Sequence, residues 1–148
     1  MKIFDFGLSA VVKSTNDNLK VYEMTGNTGS LRYMAPEVCR KKPYNQKVDV
    51  YSFAIMIWQM GKDRIPFSNY NRHMFMENVV YGNERPKMGK SWSSRFCDLL
   101  KRCWSDCIEL RPNFSEIVTE LDALIEKYMC STVNKRQSAM RDTSSTWF

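Results

Sequence analysis

The sequence has one histidine, no apolar run longer than the six residues 53–58, and an odd number of cysteines, five. The short apolar run excludes a helical membrane span, which needs roughly 20 residues. Cys103 and Cys107 have a four-residue spacing that fits one helix face, but no second cysteine pair brackets them and His73 is distant, so zinc is set aside. The thiols read instead as reduced, partly buried side chains. The opening Met1-Lys2-Ile3-Phe4-Asp5 has no apolar core of the kind a signal peptide carries, so the cytoplasm or nucleus is the expected location. With 43% hydrophobic and 13% aromatic residues, the composition argues against disorder throughout, a collagen-like repeat and a coiled coil.

What is present is one domain's worth of chain, 148 residues, with 22 Lys and Arg against 16 Asp and Glu, a formal charge of +6. This excess is too small to select a nucleic acid or a membrane as partner. Arg40-Lys41-Lys42 is a single short basic run with no aromatic platform interleaved, and reads as solvated surface. His73 likewise reads as a surface residue.

Hydrophobic periodicity places four helices. From Lys47, one face carries Val48, Tyr51, Ile55 and Trp58 and the other Val50, Phe53, Ala54, Ile57 and Met60, the pattern of a helix apolar all round and therefore central, with Gly61 as its stop. A weaker stripe of Met74, Phe75, Val79 and Val80 predicts a helix over 72–81, ended by Gly82. A third runs over 94–104, capped by Ser93 or Ser94, with Phe96, Leu99, Leu100, Cys103 and Trp104 at helical spacing. The fourth opens with Asn113 as cap and Glu116 reaching back, and its stripe is Phe114, Ile117, Val118, Leu121, Leu124, Ile125 and Tyr128. Residues 8–29 form a long polar loop, and 131–148 are expected to be a flexible Ser/Thr-rich tail.

Four short signals occur in order: Asp5-Phe6-Gly7 after a short strand, Ala35-Pro36-Glu37 at the end of the polar loop, Asp49-Val50-Tyr51-Ser52-Phe53-Ala54 opening the central helix, and Arg111-Pro112 before the last helix. In this order and at these separations they resemble the protein-kinase catalytic domain from its Asp-Phe-Gly motif onward. Gly29-Ser30-Leu31-Arg32-Tyr33-Met34-Ala35-Pro36-Glu37, with Cys103-Trp104 before Arg111, resembles the tyrosine-kinase-like serine/threonine kinases, the Raf-like and plant mixed-lineage types.

The resemblance implies a mainly α, incomplete kinase-like C-lobe: an activation segment plus four to five helices around a central buried helix. Residues 1–37 would hold the metal motif and activation segment, and 38–130 the helical subdomain. Phosphoryl transfer rests on positioning and on charge neutralisation by Mg²⁺, a hard cation that takes carboxylate oxygen, so Asp5 is the implied metal ligand. Phe6 would pack beneath it and Gly7 would let the backbone turn away. Ser30 matches the position whose hydroxyl contacts the catalytic loop beside the acceptor hydroxyl. Leu31, Arg32, Tyr33 and Met34 match the floor under the residue after the acceptor. Glu37 and Arg111 match a buried structural ion pair, and Asp49 the anchor for the catalytic-loop backbone. Ser14, Thr15, Thr25 and Thr28 supply hydroxyls for phosphorylation.

ATP and Mg²⁺ are the implied cofactors of a longer parent, with protein substrates or upstream kinases as partners. These 148 residues contain no Gly-rich phosphate loop, no strand lysine with its glutamate, and no His-Arg-Asp catalytic loop. The chain by itself is therefore expected to be inactive, a fragment of a longer kinase, and to expose part of the central helix. The alternatives are a truncated, non-catalytic binding module or decoy and, more remotely, a basic helical nucleic-acid-binding domain.

Overall fold

Asn45 opens the central helix. Its carbonyl side chain accepts a hydrogen bond from the Lys47 amide at 3.0 Å and its backbone oxygen one from the Val48 amide at 3.2 Å, occupying amides that a helix start leaves without partners. The computed structural model describes residues 6, 7, 9 and 30–144, residues 131 and 133–144 by their backbone. Its elements are a 3₁₀ turn Leu31–Tyr33, α1 (Pro36–Cys39), α2 (Lys47–Lys62), α3 (Arg72–Met74) running on into a π-helical segment Phe75–Tyr81, α4 (Ser94–Cys103), a 3₁₀ turn Ile108–Leu110, and α5 (Phe114–Ser144). The described residues are thus mainly helical and contain no β-strand, the fold class expected.

The chain divides into two units, Met1–Asn113 and Phe114–Phe148. In the first, α2 supplies Val50, Tyr51, Ala54, Ile55 and Trp58 to the core, α4 supplies Leu99, Leu100 and Cys103, and the π-helical segment supplies Phe75, Val79 and Val80. Helical spacing aligns each buried set on one stripe, and removal of those stripes from water is the main favourable term. Ser93 caps α4 as expected, its hydroxyl accepting from the Phe96 amide at 3.3 Å.

The central helix departs from the sequence reading in two respects. Gly61 is not its stop: α2 continues to Lys62, and Asp63 ends it in the left-handed region at φ 48°. Gly61 is required instead by packing, since a Cβ there would lie 2.6 Å from Cζ2 of Trp92. Gly89 faces the same indole, at 2.7 Å, so two glycines form the slot in which Trp92 sits. Nor is α2 enclosed on all sides, because Met60 is 64% exposed and Phe53, Met56 and Ile57 are only half-buried.

Two further boundaries shift. Cys103 is the last residue of α4 and Cys107 lies beyond it, before the 3₁₀ turn, so the pair does not share a helix face. The 72–81 helix forms, but its second part is π-helical, closed by the Gly82 amide donating to the Glu77 oxygen at 2.7 Å.

In the second unit, α5 extends to Ser144, where composition predicts a tail from Ser131. The segment 131–144 contains no Gly or Pro and includes Lys135, Arg136, Gln137, Ala139, Met140 and Arg141, all good helix formers, which is why the helix continues. The long apolar stripe of α5 also divides: Ile117 is 1% exposed, whereas Val118 and Ile125 are 55% and 58% exposed.

Candidate functional site

Glu37 and Arg111 are 74 residues apart in sequence and meet in the core. Pro36 at the first position of α1 fixes the approach to Glu37, since its ring presets the helical φ. The 3₁₀ turn Ile108–Leu110 delivers Arg111 in an extended conformation from the other side. Nη1 donates to Oε1 at 2.6 Å and Nη2 to Oε2 at 2.9 Å, a two-pronged fork. Arg111 is 1% exposed and Glu37 5%.

A charge buried this deeply persists only if its remaining donors are used. Arg111 Nε donates to the Ser105 oxygen at 2.9 Å and Nη1 also to the Lys47 oxygen at 3.2 Å. Lys47, itself buried at the start of α2, returns a bond from Nζ to the Arg111 oxygen. The guanidinium also lies over the Tyr51 ring, 5.2 Å from its centroid. The fork thus ties the Ala-Pro-Glu turn to the first turns of α2.

Sequence reasoning missed the other half of this cluster. Arg85 lies over Tyr51 at 5.2 Å as well, donates from Nε to the Trp104 oxygen at 2.8 Å and from Nη1 to the Val79 oxygen at 3.1 Å. Arg40 and Arg85 converge on Asp106, at 3.3 and 3.9 Å. Arg40 is therefore not the solvated residue its basic run suggests; Lys41 and Lys42 are exposed. Burial pushes the Tyr51 hydroxyl from 10.0 up to about 12 despite two nearby cations, and lowers the Arg85 pKa. The same cause raises the Cys39 thiol from 9.0 to about 11. Desolvation outweighs attraction in each case. The one signal in the sequence was Arg85 beside Pro86 in a segment without periodicity.

The 30–34 segment is fastened to α2. The Ser52 hydroxyl donates to the Tyr33 oxygen at 2.8 Å, and the Tyr33 hydroxyl donates to Gln59 Oε1. Arg32 Nη1 donates to the Pro66 and Phe67 oxygens, so its guanidinium is committed to the 63–70 loop. Ser30 is exposed, Leu31, Arg32 and Tyr33 are half-buried, and Met34 is 7% exposed. Ser30, Leu31 and Tyr33 therefore offer a surface, with Met34 buried beside them.

Asp49, in the first turn of α2, is exposed, and partial loss of water at the helix start raises its carboxyl above the usual aspartate value. Phe6 and Gly7 are described and exposed, with a turn closed by the Ser9 amide donating to the Phe6 oxygen at 3.0 Å. The Phe6 ring is 68% exposed among the described residues; Asp5, beneath which it was expected to pack, lies outside them. Asp5, Ser14, Thr15, Thr25 and Thr28 lie outside the described residues. His73 is at the surface, 3.8 Å from Glu77.

The donor set bears on the implied cofactors. Asp5 is one carboxylate of the kind Mg²⁺ accepts. Among the described residues no three His, Cys, Asp or Glu converge, and no glycine-rich loop cradles phosphate.

A family model described as protein tyrosine and serine/threonine kinase matches residues 1–121. The chain is 39% identical over 128 residues to the serine/threonine/tyrosine-protein kinase HT1 of Arabidopsis thaliana, covering 86% of this chain and 30% of that protein. It is 37% identical over 126 residues to the serine/threonine-protein kinase VIK of the same plant, with 85% and 28% covered. The dual specificity protein kinase shkC of Dictyostelium discoideum is 36% identical over 137 residues, with 92% and 26% covered. The chain therefore spans less than a third of the length of these relatives.

Proposed function

Because the chain belongs to the protein tyrosine and serine/threonine kinase family and is of the tyrosine-kinase-like type, we propose that it is the C-lobe portion of a serine/threonine kinase that moves the ATP γ-phosphate to protein hydroxyls. The observation that carries this reading is the buried fork between Glu37 and Arg111, which joins two motifs 74 residues apart into one anchor. In this reading Asp5 is a metal carboxylate, Ser30 orients the acceptor hydroxyl, and Leu31 and Tyr33 form the floor under the next substrate residue. Glu37 and Arg111 hold that floor against α2, and Asp49 takes hydrogen bonds from a catalytic-loop backbone. Residues 1–37 are the metal motif and activation segment and 38–130 the helical subdomain, working in the cytoplasm or nucleus. ATP and Mg²⁺ then supply the transferred group and its charge neutralisation when the other half of the cleft is in place.

The test is phosphate transfer from labelled ATP by the chain alone and by the chain joined behind the preceding part of a plant relative's kinase domain. The joined protein is expected to label serine and threonine on a mixed protein substrate, and the chain alone to label nothing. Transfer by the chain alone, or none by a folded joined protein, overturns the reading. One observation favours a second reading, a non-catalytic binding module: an open surface pocket of about 440 Å³ is lined by Trp58, Ile65, Phe67, Tyr70 and Pro86 together with the polar Arg64, Ser68, Asn69 and Lys87. Specific capture of one partner by the chain, with no transfer from the joined protein, would support it.

A further inference from the structure

The open pocket beside the end of α2 joins an apolar lining to charge of one sign. Trp58, Ile65, Phe67 and Tyr70 line it together with Arg64 and Lys87, and no Asp or Glu does so among the described residues. Arg64 and Lys87 are exposed and form no ion pair among those residues. Asp63 and Glu84 are the acids nearest in sequence, and neither lines the pocket; the Glu84 carboxylate accepts from the Tyr70 hydroxyl at 2.7 Å.

The walls are formed before any ligand arrives. Trp58 Nε1 donates to the Lys87 oxygen at 2.9 Å, which fastens the 86–92 segment to α2. Arg32 holds the loop opposite by donating to the Pro66 and Phe67 oxygens. Phe67 sits at φ 51°, a left-handed conformation that a bulky residue keeps only where its surroundings compel it. Its ring meets Phe75 edge-on at 5.4 Å and Tyr70 at 5.7 Å. Little ordering is therefore needed on binding.

Shape and charge together select the ligand. A small molecule is ordinarily held with most of its surface enclosed, which takes a deeper cleft than this open one. An extended protein segment needs only a recess for one side chain while its backbone passes over the rim, where Ser68 and Asn69 are exposed. Two unopposed cations beside aromatic surface attract a segment whose carboxylates flank an apolar anchor, and repel a basic one.

We propose that this pocket docks an acidic segment of a partner protein, with an aromatic side chain seated against Ile65 and Tyr70 and carboxylates beside Arg64 and Lys87. Docking there requires no phosphate transfer, so this proposal and the kinase reading fail separately.

Fluorescence anisotropy of the 148-residue chain with a labelled Glu-Asp-Phe-Glu-Asp peptide tests it. Saturable binding that weakens as salt rises is expected. The peptides Glu-Asp-Ala-Glu-Asp and Lys-Arg-Phe-Lys-Arg are expected to bind at least about tenfold more weakly. Arg64→Glu with Lys87→Glu is expected to weaken the acidic peptide about tenfold and to reverse the preference toward the basic one, with the urea midpoint unchanged. Ile65→Asp is expected to weaken the acidic peptide as well; because Arg64 and Lys87 are exposed, the charge reversal stands as a test even if Ile65→Asp perturbs the fold. No binding of the acidic peptide, equal binding of the alanine or basic peptide, or binding untouched by the charge reversal would overturn the proposal. So would self-association of the chain that the same reversal abolishes, which would give the pocket to a second copy.

Discussion

Arg111→Met removes the most heavily used side chain of the core. It strands the Glu37 carboxylate, 5% exposed, together with the Ser105 and Lys47 oxygens that Arg111 now satisfies. An uncompensated buried charge costs about 3–5 kcal/mol. Glu37→Met strands the guanidinium instead, at a cost of the same order, eased by the two carbonyls that still accept from it. The double variant strands neither charge, and buried pairs replaced by apolar side chains of similar volume often come out near neutral. The two single losses therefore sum to about 6–10 kcal/mol while the double loses only about 1–3 kcal/mol, a coupling of several kcal/mol. Arg111→Lys keeps the charge without the planar fork and belongs in between. Urea unfolding followed by circular dichroism gives the midpoints, with the slope checked for constancy across variants. If the double variant is as unstable as the two singles added together, the fork does not act as a coupled unit and the reasoning fails.

Three further outcomes follow from the same packing. Gly61→Ala gains about 1 kcal/mol of helix propensity yet is expected to lose stability overall by about 1 kcal/mol, because the new Cβ meets the Trp92 indole; adding Trp92→Phe should recover the loss. Tyr51→Phe deletes a buried hydroxyl that has no partner among the described residues and is expected to be neutral or stabilising by up to about 1 kcal/mol, so a clear loss in the same urea titration would show an unseen partner. In alkali, the Cys39 thiol ionises near 9.0 when unfolded and near about 11 when folded, so the native state holds the proton longer. Stability then falls as pH rises between those values, by up to about 2–3 kcal/mol, and Cys39→Ala should flatten that slope even if it lowers the plateau.

How far the sequence could be read depended on the range of the interactions. The α2 start at Lys47 and the whole of α4 follow from periodicity and a capping residue, both local, and the structure has them where they were expected. The Glu37–Arg111 fork is non-local and was reached only because two motifs matched a family; nothing in the spacing of 74 residues implies contact. Arg85 had no such help, and its place over Tyr51 follows from the path of the 82–93 segment, which carries no period. Gly61 was misread because a glycine near a helix end signals a stop, whereas here its missing side chain admits Trp92 from a distant loop.

In the proposed function Asp5 is the carboxylate that holds Mg²⁺, and one measurement addresses that role directly. In the joined protein carrying the catalytic loop of a relative, Asp5→Asn keeps the side-chain shape and removes the charge. Phosphate transfer is expected to fall by at least about a thousandfold, ATP protection of the fold to lose its dependence on Mg²⁺, and unfolding without nucleotide to stay unchanged. Full transfer by a folded Asp5→Asn protein, with its Mg²⁺ dependence intact, would contradict it.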